Sequence, residues 1–505
     1  MNSYILATDI GTTSVRSMIY DTQGNVHARA QNLYPTERPE PFFEQQDPEL
    51  IKKRVYQTIA ECVGSFRKDP SMIRNLAFSS QMYSILAVDQ MGIPLTKSIL
   101  WSDGRAEKEV LQIRQEVGEL GWYERTGCPS SSIFPIAKIR WISNNLPEVF
   151  AAAFKFISIK EYVLYPLLGQ YVVDYSMASA TGLFDIRTHR WCEGALRSAG
   201  ISEHQLSEPV SGTRVFEIKD VPLLATLGLA DEMRLVLTGG DGPLANIGSK
   251  AYQVGAVNID LGTSGAARVL SDKAITDPDG SLWCFCLTDS LWAYGGILSN
   301  VGNAFDWIAT NILDQDPYHQ LCEEKSGCRR LSSLATDIPA GAEGLIVLPY
   351  LRRARSPSWD VRLTGNIINL NANHTLGHLV RALIEAIGYD LRSIIALMSE
   401  RVDLVHDMIL SGGIARGENI AQIISSILER PLRTIEHAEA SLAGAAIMGL
   451  YATGLLDSLR FDSENESCES MVYPDETVTG CYQKGYETYQ TLVAVISEGV
   501  TRGSN

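Results

Sequence analysis

The chain has 505 residues, 45% of them hydrophobic and 20% charged, an ordinary globular composition with room for two or more domains. A net charge of −16 argues against a general nucleic-acid or anionic-membrane surface, which needs clustered Lys and Arg. No apolar run reaches the roughly 18–20 residues of a membrane span, and Met1-Asn2-Ser3 leads straight into an apolar stretch, so neither a membrane anchor nor a signal peptide is expected.

In chain order, Tyr4-Ile5-Leu6-Ala7 reads as a strand ending at Asp9-Ile10-Gly11-Thr12-Thr13-Ser14, and Val15 to Tyr20 reads as its partner, turning at Asp21–Asn25. Glu49 to Phe66 carries Ile51, Val55, Ile59 and Val63 at four-residue steps and is predicted helical. Leu76–Ser80 and Ile85–Val88 are predicted strands. Leu235-Val236-Leu237 is another, ending at Thr238-Gly239-Gly240-Asp241-Gly242 with a helix after it. Ala256–Ile259 and Ala266–Leu270 flank Asp260-Leu261-Gly262-Thr263-Ser264-Gly265. Leu345–Leu348 is a strand, and Leu376, Leu379, Val380, Leu383, Ile384 and Ile387 mark a long amphipathic helix. Met408-Ile409-Leu410 is a strand ending at Ser411-Gly412-Gly413, with a helix from about Glu418 to Glu429. Ala440–Leu456 is expected to be a buried helix whose small residues suit close packing. The tail beyond it, acidic and then Tyr-rich, is expected to be irregular. Alternating strands and helices give an α/β fold. The boundary between halves is expected near Tyr252–Gly255.

The near-repeat of one motif in the two halves carries most of the information. Asp9 and Asp260 stand about half a chain apart, each followed by an aliphatic residue, Gly and small hydroxyl residues. This spacing suggests duplication of a whole domain. Gly lets a backbone approach closely, Thr and Ser add hydroxyl donors, and amide groups of such a turn suit a phosphate. An Asp at the strand end suits a magnesium ion. Isolated Asp-x-Gly-Thr turns are common, so the weight lies in the two copies. Ser411-Gly412-Gly413, expected to open a helix, adds a third glycine turn where a flat ligand could lie against backbone.

Asp241, between two glycines at a strand end, is the candidate to accept the proton of an attacking hydroxyl in phosphoryl transfer; a helix N-cap is the competing reading. Gln81-Met82-Tyr83, at another strand end, presents a polar edge to a polyol. Trp101-Ser102-Asp103-Gly104-Arg105 offers an aromatic wall, an acceptor and a cation, or else a buried Trp beside an ion pair. Arg352-Arg353-Ala354-Arg355 reads as a solvated loop or an anion contact. The nine cysteines (Cys62, Cys128, Cys192, Cys284, Cys286, Cys322, Cys328, Cys468 and Cys481) contain no Cys-x-x-Cys pair and read as reduced thiols of a cytoplasmic protein. His374 and His378 lack further ligands nearby in sequence and are not read as a zinc site.

These segments, with Ile99-Leu-Trp-Ser-Asp-Gly-Arg105, Pro135-Ile-Ala-Lys-Ile-Arg-Trp141 and Gly344 to Tyr350, resemble the FGGY sugar kinases of the actin–hexokinase–sugar kinase superfamily, from about Tyr4 to Leu450. The resemblance implies two actin-like (ribonuclease H-like) α/β domains with a central cleft: residues 1–252 for sugar and the first phosphate turn, 253–455 for nucleotide, and 456–505 as a packing tail. It implies ATP and Mg2+ as cofactors and transfer of the γ-phosphoryl group to a sugar or polyol. Asp241 then matches the catalytic base and a substrate contact. Asp9 matches the magnesium-associated carboxylate. Thr12, Thr13, Gly262 and Thr263 match the phosphate turns, Gly412 and Gly413 the adenosine turn, and Gly302 a further glycine facing the nucleotide. Gln81, Met82 and Tyr83 match the substrate segment. Phe156-Ile-Ser-Ile-Lys-Glu-Tyr162, Val173 to Phe184 and Asp241 to Gly248 look most like the gluconate kinase branch, with xylulose kinases as neighbours. Tyr83 departs from the His common there, Asn369 from an expected Gly, and Arg352-Arg353-Ala354-Arg355 from a usual Gly-Glu-Arg pattern. The expected partners are ATP and a small sugar or sugar acid, with no nucleic acid or membrane and homodimerisation allowed. The alternatives carried are a ketose or polyol kinase and, more remotely, a non-catalytic actin-like nucleotide-binding protein.

Overall fold

The computed structural model describes residues 3–219, 221–230, 232–313, 331–406, 408–417, 419–435, 439–461 and 469–503. Two compact units form: Met1–Tyr252 with Leu270–Ala293 and Glu439–Asn465, and Gln253–Val269 with Tyr294–Ala438 and Glu466–Asn505. Each contains one large mixed sheet.

In the first unit the strands are β1 (Tyr4–Ile10), β2 (Ser14–Tyr20), β3 (Val26–Leu33), β4 (Ile73–Ser80), β5 (Val215–Lys219) and β6 (Glu232–Gly240), ordered β3-β2-β1-β4-β6-β5. The first three form an antiparallel meander, β1, β4 and β6 run parallel, and β5 returns antiparallel. Strands covered on both faces need continuous apolar runs, and β1 is buried at all seven positions. Ile51, Val55, Ile59, Cys62 and Val63 of the Pro48–Ser65 helix share one core with Tyr4, Leu6 and Ile10. That helix starts where Asp47 accepts the amides of Glu49 and Leu50, with Pro48 in the first turn, where its missing N–H costs nothing.

The second unit repeats the plan with β7 (Val257–Leu261), β8 (Gly265–Ser271), β9 (Leu291–Leu298), β10 (Met408–Ser411), β11 (Leu432–Ile435) and β12 (Glu469–Val472), ordered β9-β8-β7-β10-β11-β12, and a seventh strand, Trp283–Thr288, extends this sheet beyond β9. β7 pairs antiparallel with β8 and parallel with β10, β10 runs parallel to β11, and β12 closes antiparallel. The duplicated motif thus sits on a duplicated sheet.

Two expectations are corrected. The tail is not irregular: Glu469–Val472 joins the second sheet as β12, and Thr479–Gly503 is a 25-residue helix. Its packing stripe is made of tyrosines, which aliphatic periodicity overlooks. Tyr482 accepts from Arg381, Tyr486 pairs with Ser393, and Tyr489 donates to Asp390, all along the Leu376–Ser399 helix. The Ser411-Gly412-Gly413 turn does not open the helix directly, since a 3-10 turn at Ile414–Arg416 precedes Ile420–Leu428; Glu418 lies outside the described residues. Cys62, Cys128, Cys192, Cys284 and Cys286 are buried free thiols and Cys481 an exposed one, while Cys322, Cys328 and Cys468 lie outside the described residues. Among the described residues no helix is long and apolar enough to cross a membrane.

Candidate functional site

Register brings three strand ends together in the first unit. Asp9 of β1 pairs with Ser79 of β4, and Ser79 and Ser80 pair with Gly239 and Gly240 of β6. The residues that follow, Gly11–Thr13, Gln81–Tyr83 and Asp241, therefore emerge side by side at the carboxyl ends of parallel strands, where open α/β sheets bind ligands.

Asp9 is 1% exposed. Its Oδ2 accepts from Arg16, its cross-strand neighbour, at 3.1 Å, and its buried Oδ1 has no hydrogen-bond partner among the described residues. Arg16 also donates to Glu439 at 2.7 Å. Burial opposes the charge on Arg16, but Asp9, Glu439 and Asp241 outweigh it and hold the guanidinium pKa above its ordinary value. Burial raises Glu439, Arg16 opposes that rise, and Asp9 adds to it. Three carboxylates around one guanidinium leave this corner net negative. An unpartnered carboxylate oxygen there suits Mg2+, which usually takes one or two carboxylates plus waters and substrate phosphates. Among the described residues no three His, Cys, Asp or Glu side chains are grouped to hold a metal ion by themselves.

Asp241 is the first residue of the Asp241–Gly248 helix, with Gly240 at the cap position. Its Oδ1 accepts the Gly242 N–H at 2.8 Å, so the carboxylate also serves the helix start. This helix lies against Ala440–Ala452 with almost no side chain between them. A Cβ on Gly248 would sit 1.9 Å from the Ala440 carbonyl oxygen, and one on Gly444 would sit 1.9 Å from that of Leu244. Backbone contact at these glycines brings Glu439 toward the Arg16 and Asp241 corner.

Gln81 receives its place from its N–H to the Ile10 carbonyl at 2.8 Å and its Nε2 to Gln46 at 3.1 Å; its buried Oε1 has no partner among the described residues. Met82 packs beneath Gly240, where a Cβ would meet its Cγ at 2.5 Å. Tyr83 is half-buried at φ +65°, and its carbonyl accepts from Lys138 at 2.9 Å. Lys138 also donates to the carbonyls of Leu100 and Ile133, fastening three segments around this edge. Thr12 accepts the indole N–H of Trp101 at 3.1 Å, and Thr13 is exposed at the turn tip. The Trp101–Arg105 segment is tied both to itself and to the Glu44–Gln45 strand edge. Asp103 accepts from Arg105 at 2.7 Å and from the Glu44 N–H at 2.6 Å, so its carboxylate is already engaged.

In the second unit Asp260 pairs with Ser411, setting the Gly262–Thr263 turn beside Gly412–Gly413. The turn is one residue tighter than the first: the Gly262 N–H reaches the Ser264 carbonyl, two residues on, at 2.9 Å, where the Gly11 N–H reaches that of Ser14, three residues on, at 3.0 Å. Gly302 begins the Gly302–Asn311 helix and donates to the Gly262 carbonyl at 3.0 Å; a Cβ on it would meet that oxygen at 2.7 Å. Gly412 adopts φ +99°, and a Cβ there would lie 2.4 Å from the Leu261 carbonyl oxygen, whereas Gly413 faces open space. The two aspartates differ. Asp260 is 39% exposed and only 3.5 Å from Arg268, while Asp9 is buried, so only the first copy has the enclosed carboxylate. Arg352 and Arg353 have their backbones tied to Asn300. His378 accepts the Thr375 N–H and caps its helix.

Arg16, Lys138, Lys160 and Glu439 were not singled out from sequence. Arg16 had a signal, since it lies directly across a tight hairpin from Asp9; Glu439 had none, because only the packing of the Ala440–Ala452 helix brings it here.

Residues 4–248 match the N-terminal domain of the FGGY family of carbohydrate kinases, and residues 257–453 match its C-terminal domain. The chain is 35% identical over 478 residues to a gluconokinase of Bacillus subtilis (strain 168), covering 92% of this chain and 90% of the relative. It is 26% identical to a xylulose kinase of Staphylococcus epidermidis, with 97% and 96% covered. A crystal structure of gluconate kinase from Lactobacillus acidophilus superposes with a TM-score of 0.89 at 27% identity, over 99% of this chain and all of that one.

Proposed function

The chain belongs to the FGGY family of carbohydrate kinases and is an ATP-dependent sugar kinase with that family's two-domain α/β fold, and we propose that its acceptor is D-gluconate, phosphorylated to 6-phosphogluconate. The observation that carries the chemistry is the Asp241 carboxylate at a strand–helix junction, within electrostatic reach of Arg16 in the corner that also holds Asp9. The sugar-acid choice rests on the 35% identity to a gluconokinase, against 26% to a xylulose kinase.

In this proposal the first unit, essentially residues 1–252, holds the acceptor. Gln81, Met82 and Tyr83 line its place. Asp241 hydrogen-bonds the reactive hydroxyl and takes its proton as the phosphoryl group transfers. Thr12 and Thr13 offer hydroxyls to the transferred phosphate. The second unit, whose turns fall within residues 253–455, binds ATP: Gly262 and Thr263 for the phosphates, Gly302 for a close backbone approach, Gly412 and Gly413 for the adenosine. Within the 456–505 tail, the Thr479–Gly503 helix braces that unit. Asp9 holds Mg2+, whose charge would offset the phosphates and this acidic corner. A cytoplasmic location, where ATP is supplied, completes the proposal. Xylulose or another ketose or polyol is the second reading, because the Asp241 arrangement serves any hydroxyl.

The test is ADP release with ATP and Mg2+ against gluconate, xylulose, ribulose, glycerol and several hexonates. Strong turnover on gluconate alone supports the proposal; turnover on xylulose and not gluconate replaces the acceptor and leaves the kinase.

A further inference from the structure

We propose that Lys160 is a positioning residue for the Asp241 carboxylate, acting through a bulge at the end of β6 that it holds open from beneath. The inference rests on the reading of Asp241 as the group that takes the acceptor's proton. Pairing between β6 and β4 shifts register between Val236 and Gly239, and Thr238 adopts φ +61°, rare for a β-branched residue. Such a bulge frees carbonyls from the ladder and needs outside partners. Lys160 supplies them. Its ammonium, 2% exposed, donates to the carbonyls of Leu237 and Gly239, the latter at 2.9 Å, and to the Asp174 carboxylate at 2.7 Å.

The other side of the bulge is fixed as well. Thr238 Oγ1 donates to the Phe78 carbonyl at 2.7 Å and the Thr238 N–H to that of Gly212 at 3.1 Å. The Gly240 N–H donates to Ser176 Oγ at 3.1 Å. Asp174 caps the short Tyr175–Ser179 helix through the Met177 N–H, so the carboxylate that neutralises Lys160 also places Ser176. Burial lowers the Lys160 pKa, with Asp174 and Glu161 opposing that fall. The result is one buried device gripping residues 237, 239 and 240, immediately before Asp241.

Its consequence is directional. Side chains alternate along a strand, so relaxing the bulge by one residue would turn the following side chain to the opposite face. A Lys with three donors fits two carbonyls and one carboxylate; a shorter or apolar side chain would leave the strand free to re-register.

The test uses the full chain. Lys160→Met combined with Asp174→Asn removes both charges, so neither is left buried alone, and the carboxamide oxygen that replaces the carboxylate can still cap the Tyr175–Ser179 helix. Ser176→Ala is the milder second variant, and Asp241→Asn is the control. ATP-binding stoichiometry counts competent sites, and kcat per competent site is measured with KM for acceptor and for ATP. The expected result is a fall in kcat of about 10²-fold for the double variant and about tenfold for Ser176→Ala, with both KM values within about threefold. Unchanged kcat per competent site, with loss only in thermal stability or in the fraction of competent sites, overturns the proposal. If the double variant does not fold, the Ser176→Ala result decides by the same criterion. Wild-type kcat in Asp241→Asn would instead overturn the base assignment, which separates the two failures.

Discussion

Gly444→Ala tests whether backbone contact between two helices builds the corner proposed to be catalytic. The new methyl would lie 1.9 Å from the Leu244 carbonyl oxygen and 2.7 Å from its carbon. Ordinary contact needs about 3.5 Å, so the helices must separate by roughly 1.5 Å, and the obstacle is backbone that no rotamer change can relieve. Overpacking of this kind costs about 3 kcal/mol, which lowers the melting temperature of the first unit by about 6 °C or more. Separation also displaces Asp241 and Glu439, which stand at the starts of these helices. Misplacement by about 1 Å costs roughly 10²-fold in rate, so kcat should fall by about that factor. ATP affinity, assigned to turns of the second unit, should stay within about twofold. Differential scanning fluorimetry and coupled ADP release measure both effects. A Gly444→Ala protein with wild-type melting and wild-type kcat would refute the reasoning.

Asp9→Asn should raise the Mg2+ concentration needed for half-maximal activity by roughly tenfold or more, read from a magnesium titration at saturating ATP; an unchanged curve would remove Asp9 from the metal site. Thr263→Val deletes one hydroxyl donor and should weaken ATP binding by about 1 kcal/mol, near fivefold in Kd by calorimetry, and unchanged affinity would count against the phosphate role. Burial pushes Asp390 up to about 7, with the Tyr489 and Tyr350 hydroxyls opposing that rise. A carboxyl whose folded pKa lies above its unfolded value is protonated more readily in the native state. Its contribution is full at low pH and is lost as pH rises through about 4 to 7. The wild-type second unit should therefore lose stability across that window, while Asp390→Asn should show a flatter profile in urea melts between pH 4 and 8.

What was readable from sequence and what was not divide along sequence distance. The two Asp–Gly–Thr turns, the Gly-Gly-Asp241 junction and most strands were legible because each is written in consecutive residues with its own turn chemistry. The duplication was legible because Asp9 and Asp260 carry the same pattern, and six strands follow the same order in both sheets, with Trp283–Thr288 added at the edge of the second. The C-terminal helix was not legible, because Tyr482, Tyr486 and Tyr489 pack through hydroxyl bonds to the Leu376–Ser399 helix rather than through an aliphatic stripe. Nor was the return of Leu270–Ala293 to the first unit, which depends on distant contacts such as the Cys284 N–H with the Gly127 carbonyl at 2.9 Å. Asp103 and Arg105 looked like sugar contacts because their residue types suit one, yet they satisfy each other beneath the rings of Phe43 and Trp141. Lys160 lay inside an apolar stretch, and only the bulge above it reveals its task.

The most direct test of the central claim is product formation from D-gluconate by wild-type and Asp241→Asn protein, followed by phosphorus NMR, with ATP binding measured on the same samples. The account predicts a single gluconate phosphate ester at carbon 6 from the wild type. It also predicts a loss of at least about 10³-fold in Asp241→Asn with ATP affinity preserved. Rapid transfer to gluconate by the Asp241→Asn protein, or no transfer by a wild type that binds ATP, would contradict it.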